Sequence, residues 1–163
     1  MGVIYRNYSK DNRSIELVKI AKACKKKKYQ FFVSNDIKLA LKYKANGIYI
    51  PSFNKSERFQ NLEKKNFTIL GSAHNQKEIH EKTLQNCKII FLSPLFNVEK
   101  SKYYLDICKF NFLTLSNKSN FVALGGINLK NIKKLKMLHA KGFAGISIFK
   151  KKPAFKRPVF LKK

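Results

Sequence analysis

Phe121–Lys152, FVALGGINLKNIKKLKMLHAKGFAGISIFKKK, reads as two short apolar strands joined by one amphipathic helix, with glycines at both turns. Phe121–Leu124 is a brief apolar run that Gly125 and Gly126 break. Asn128 can cap a helix in which Ile132, Leu135 and Leu138 recur at three-residue spacing. Gly142 is expected to stop that helix, and Gly145–Phe149 to return as the second strand. Glycines just past a strand end let phosphate oxygens approach backbone N–H groups closely, and the following helix N-terminus adds a favourable dipole. In an eight-stranded α/β barrel the loops after the last two strands form the usual phosphate site. A tight strand-to-helix turn needs glycine with or without a ligand, so both readings of Gly125-Gly126 stand at this point.

The same alternation runs back to the N-terminus. Val3–Arg6, Phe31–Ser34, Gly47–Ile50, Phe67–Leu70 and Lys88–Leu92 read as strands, which with the two above makes seven. Helices are expected from about Ser14 to Lys27, after Asp36, around Ser56–Lys64, after the capping box Asn75 and Glu78, and near Ile107–Phe112. Strands alternating with helices predict a parallel α/β sheet covered by helices. Residues 1–152 are expected to form one domain. Residues 153–163, with Pro153 and Pro158, are expected to form a basic tail without a full helix.

Composition narrows the function classes. A 163-residue chain can bury roughly two thirds of its unfolded surface in one core. No apolar run is long enough to cross a membrane and no signal peptide precedes the first strand, so a cytoplasmic protein with no membrane partner is expected. Cys24, Cys87 and Cys108 are odd in number and set among apolar neighbours, which predicts buried thiols instead of disulfides or a zinc site. The net charge of +26 raises nucleic acid as a partner. All but four of the 35 basic residues are lysines, however, scattered over every helix in a chain also rich in Asn, Ile, Phe and Tyr. All of these residues have A- or T-rich codons, so base composition accounts for the charge and nucleic acid is not expected. The charge still favours phosphorylated small molecules.

Functional groups of parallel α/β folds gather at the C-terminal strand ends. Those positions carry Arg6, Asn35-Asp36, Ser52 with Asn54, Ser72 with His74, Ser93 with Asn97, Gly125-Gly126 and Phe149-Lys150. Asp36 can serve as a helix cap or a metal ligand, since both roles want a carboxylate after a strand. Ser72 can bond its own turn or a ligand, and His74 can orient a loop or move a proton.

The order Asn35-Asp36, Gly47-Ile48-Tyr49-Ile50, Ser72-Ala73-His74 with Glu78, Ser93-Pro94-Leu95-Phe96, Ala123–Ile127 and Gly142–Ile146 resembles the thiamine phosphate synthase family and its sister, the thiazole tautomerases. The resemblance implies a TIM-type barrel of eight strand-helix units. Here it is expected to be truncated to about seven strands, lacking the first strand-helix unit and the last helix, with a second copy covering the open edge. It implies a reaction that joins hydroxymethylpyrimidine diphosphate to thiazole phosphate with release of pyrophosphate. Arg6 would contact the diphosphate, Asn35 and Ser72 the pyrimidine, and Asp36 a Mg²⁺ ion. Gly125, Gly126 and the backbone of Phe149 and Lys150 would bind the thiazole phosphate, with Ser72 and His74 as catalytic groups.

The chain departs from the family pattern at Ile4 and Tyr8, which flank Arg6 where the family has glutamine and lysine. Asn54 stands at the second metal carboxylate, and Val98-Glu99-Lys100-Ser101 at a Thr-x-Thr-Lys phosphate loop that Lys100 or Lys102 could complete. Pro51-Ser52 in place of a Gly-Gln pair, together with His74, fits a tautomerase. A non-catalytic paralogue that binds a phosphorylated ligand is the third reading.

Overall fold

In a computed structural model, residues 1–7, 13–59, 62, 67–99, 101, 103–146 and 148 are described. Seven strands, β1 (Gly2–Tyr5), β2 (Gln30–Ser34), β3 (Gly47–Ile50), β4 (Thr68–Ala73), β5 (Ile89–Leu92), β6 (Asn120–Leu124) and β7 (Gly142–Ala144), form one parallel sheet in sequential order. Helices α1 (Arg13–Lys26), α2 (Ile37–Lys42), α3 (Gln76–Leu84) and α4 (Asp106–Leu115) alternate with them. This is the expected TIM-type arrangement with seven strands.

Side-chain alternation along each strand separates two faces. Phe32, Tyr49, Leu70 and Phe91 cluster on one face, joined by Ile4 of β1 and Ala144 of β7. First and last strands can meet one cluster only if the sheet curls around it. The other face lies under the helices, where Ile48, Ile50, Ile69, Ala73, Ile90, Leu92, Phe121 and Ala123 pack with Ile79 and Phe110. Leu17 and Cys24 of α1 cover Phe31 and Val33 of β2. The inward cluster is the floor of the barrel, and Tyr49 meets Phe91 edge-to-face at 5.8 Å and 70°. Continuing the inward parity up each strand reaches Ser34 on β2 and Ser72 on β4, both buried.

Helix starts follow local chemistry. The Asp36 carboxylate accepts the Leu39 N–H at 2.9 Å, and Asn75 accepts the Glu78 N–H at 3.0 Å. Glu78 reaches back not to the Asn75 amide but to that of His74, at 2.7 Å.

Several expectations are corrected. Instead of an α-helix beginning at Asn128, a 3₁₀ helix spans Ile132–Met137. Exact three-residue recurrence of Ile132, Leu135 and Leu138 aligns on three residues per turn, and all three pack in the core. Gly142 does not end a helix; it opens β7, paired with Val122, so β7 is Gly142–Ala144 and not Gly145–Phe149. The segment after β3 holds a short 3₁₀ turn at 57–59. Cys24 and Cys87 are buried as expected, whereas Cys108 is exposed on α4. Phe149, Lys150, Lys100, Lys102 and the tail lie outside the described residues.

Candidate active site

The C-terminal strand ends bring the expected residues to one rim, in three structural groups. The first joins β2 to β3. Asn35 has a left-handed backbone, φ 58°, which asparagine tolerates, and its N–H donates to the Tyr49 carbonyl at 2.9 Å. The Asn54 side chain donates to the Asn35 side-chain oxygen, while its own Oδ1 accepts the Ser56 N–H at 2.8 Å. The loop carrying Asn54 is held from beneath by α3. Lys82 Nζ donates to the Asn54 carbonyl at 2.7 Å and to Gln85 Oε1 at 2.9 Å. Gln85 Nε2 donates to the carbonyls of Asn54 and Ser56 at 3.0 and 2.9 Å. Lys82 and Gln85 are both fully enclosed, and burial pulls the Lys82 ammonium below its ordinary pKa.

The second group spans β4 and β5. Ser72 faces inward, above the aromatic floor. His74 is exposed beyond it, with Nδ1 2.6 Å from the Ser93 carbonyl oxygen. A carbonyl can only accept, so Nδ1 is the donor, and in the neutral ring the lone pair then sits on Nε2. The Ser93 hydroxyl lies 3.4 Å from the same nitrogen. His74 also borders an open groove of about 520 Å³ between α3 and α4, where Leu105, Cys108 and Phe112 form the far wall.

The third group is the Gly-Gly turn. Gly125 and Gly126 have φ of 91° and 70°, a region that disfavours side chains. A Cβ on Gly126 would stand 2.5 Å from the Phe96 carbonyl oxygen, and one on Gly125 2.9 Å from Pro94 Cα. The turn therefore abuts the loop after β5, which begins with a cis Ser93–Pro94 bond. Leu95 and Phe96 N–H groups donate to the Leu124 and Gly125 carbonyls at 2.8 and 3.2 Å. Asn131 Nδ2 adds a bond to the Gly126 carbonyl at 2.8 Å. Arg6 sits exposed just past β1, at the rim beside Ser34 of β2.

The fold agrees with comparison to known sequences: the thiamine monophosphate synthase family profile matches residues 2–149. The chain belongs to this family. It is 30% identical over 143 residues to a thiamine-phosphate synthase of Prochlorococcus marinus, covering 84% of this chain and 41% of that one. It is 30% identical over 146 residues to putative thiamine-phosphate synthase 2 of Aquifex aeolicus, covering 86% and 78%. The chain thus spans about two fifths of the length of the Prochlorococcus relative. Among solved structures, thiamine phosphate pyrophosphorylase of Pyrococcus furiosus superposes with a TM-score of 0.69 at 18% identity, covering 88% of this chain and 69% of that one. N-(5'-phosphoribosyl)anthranilate isomerase of the same organism superposes at 0.65 and 16% identity, covering 90% and 76%. At these identities the superpositions speak for the barrel fold.

Within this family member the rim offers amide, hydroxyl and imidazole groups more than carboxylates. Asp36 carries its cap bond, and Asn54 uses both ends of its amide inside the protein. Among the described residues no group of three or more His, Cys, Asp or Glu could hold a metal ion. No helix is long and apolar enough to cross a membrane among those residues. Sequence reasoning did not single out Ser34, Lys82 or Gln85. Ser34 was legible as the inward neighbour of Phe32. Lys82 had a weaker signal: it follows buried Ile79 by three residues, on the face α3 turns to the sheet.

Proposed function

We propose that the chain is a thiamine phosphate synthase-type transferase, joining hydroxymethylpyrimidine diphosphate to thiazole phosphate with release of pyrophosphate. The family match over residues 2–149, with Asn35, Asp36 and Ser72 at one rim, carries this reading. Ser72 and Asn35 contact the pyrimidine, Arg6 the diphosphate, and the Gly125-Gly126 turn the thiazole phosphate. The thiazole nitrogen attacks the pyrimidine methylene carbon, and the carbon–oxygen bond breaks with its electron pair leaving on pyrophosphate. Holding both partners in line and surrounding the leaving group with positive charge lowers the barrier.

The donor set suits Mg²⁺ in one form. Asp36 would hold the ion by its carboxylate, as is common where Mg²⁺ is bound by one or two carboxylates together with a phosphorylated substrate. When bound it neutralises charge on the departing diphosphate. Incubating the purified protein with both substrates and Mg²⁺ is expected to release pyrophosphate; none at high protein concentration would sink this reading.

One observation favours thiazole tautomerase activity as the second reading. His74 is anchored through Nδ1 to the Ser93 carbonyl, so its Nε2 is the nitrogen able to take and return a proton. In that case His74→Ala abolishes isomerisation while Asp36→Asn leaves it intact. An inactive protein that still binds thiazole phosphate would be the non-catalytic paralogue.

A further inference from the structure

Lys82 is a buried cation held by neutral acceptors. Its ammonium bonds the Asn54 carbonyl and the Gln85 side chain, and no carboxylate among the described residues lies within ion-pair distance of it. Burying an ammonium this way costs stability that a methionine of similar shape would not. Room for its stem is also built in, since a Cβ on Gly71 would stand 3.0 Å from Lys82 Cδ. What the lysine secures is the Asn54 carbonyl, which Gln85 bonds as well.

The Asn54 side chain then sets a direction. The Ser56 backbone N–H can only donate, so the Asn54 atom facing it is the oxygen. The Asn54 NH₂ therefore faces Asn35, and the Asn35 atom that receives it is its oxygen. Asn35 is left with its NH₂, a donor, to present to a ligand.

We propose that Lys82 and Gln85 are positioning residues: through Asn54 they orient Asn35 as a hydrogen-bond donor toward an acceptor atom of the substrate, such as a pyrimidine ring nitrogen. The pyrimidine rests on the function proposed above; the orientation of Asn35 does not.

Two measurements separate these. In ¹⁵N-labelled full-length protein without ligand, the Asn35 side-chain NH₂ signals, identified by their loss in Asn35→Ala, are expected to move in Lys82→Met and Gln85→Leu. Signals that stay in place in both variants would overturn the relay. Calorimetric titration with hydroxymethylpyrimidine diphosphate and Mg²⁺ is expected to show about tenfold weaker binding for Lys82→Met, with no loss of thermal stability. In an Asn35→Ala background the same substitution should change affinity less than about twofold, because the lysine acts through Asn35. An equal loss in both backgrounds would assign Lys82 a merely structural role and overturn the proposal. If the wild-type protein fails to bind this diphosphate, the proposed function fails while the NMR measurement still decides the relay. Should Lys82→Met not fold, Gln85→Leu carries both measurements.

Discussion

A Cβ placed on Gly71 would lie 2.7 Å from Sγ of Cys87, across the buried seam between β4 and the strand-start turn of β5. Gly71→Ala must therefore displace the thiol and the Lys82 stem together. The expected cost is about 1–3 kcal/mol in urea unfolding. Removing the obstructing sulfur should recover part of it, so Gly71→Ala and Cys87→Ala combined should be less destabilised than the sum of the two by about 1 kcal/mol. Simple additivity would mean that the seam does not constrain position 71.

Cys87 also predicts a pH dependence. Burial pushes its thiol up from 9.0 to about 12. Between those values the unfolded chain releases a proton that the folded chain keeps, so stability is full below pH 9 and is lost as pH rises toward 12. Lys82 works in the opposite sense, since its lowered pKa makes stability rise toward the unfolded value of 10.5. Cys87→Ala keeps the lysine and removes the thiol. Across pH 9 to 10 the wild type should lose about 1 kcal/mol more than this variant. Parallel stability curves for the two proteins would contradict the assignment.

Asp36 can be divided into its cap and its charge. Asp36→Asn retains an oxygen for the Leu39 N–H and should leave thermal stability nearly unchanged, whereas Asp36→Ala should cost about 1 kcal/mol. If Asp36 also meets Mg²⁺, the asparagine variant loses pyrophosphate release despite its intact fold. Equal activity of Asp36→Asn and wild type would confine Asp36 to capping.

Gly126→Ala meets the Phe96 carbonyl and a left-handed backbone at once. A loss of about 2–4 kcal/mol is expected, read by denaturant unfolding. Gly142→Ala serves as the comparison, because among the described residues, its two chain neighbours apart, no atom lies within 4 Å of its added methyl group. It should change stability by less than about 1 kcal/mol. Similar losses at both positions would remove the seam between the two loops as the cause.

The strand order, the two-faced sheet and the residues at its rim were legible because alternation and turn chemistry are local. Gly47–Ile50 and the caps at Asp36 and Asn75 rest on such signals. The 3₁₀ segment was misread as an α-helix although Ile132, Leu135 and Leu138 already carried its period. The start of β7 depended on pairing with Val122, a partner twenty residues away in sequence. Lys82 was hard to read for a different reason. A lysine in a helix ordinarily reads as solvated, and only the combination of Gly71, Gln85 and the distant Asn54 carbonyl makes its burial sustainable. The Gly125-Gly126 pair of the opening stretch was found, but Pro94 and Phe96, which crowd the two positions, lie about thirty residues upstream.

The loop after β5 is fastened at both ends: to the Leu124 and Gly125 carbonyls, and by the N–H groups of Leu105 and Asp106 to the Pro94 and Leu95 carbonyls at 2.9 Å. Leu95, Phe96, Leu105 and Asp106 are thereby tied to the Gly125-Gly126 turn and are expected to open together with it. Amides of these residues should exchange with solvent more slowly than those at the rim just past β1. Under the proposed function the thiazole phosphate meets this firmly tied side of the rim.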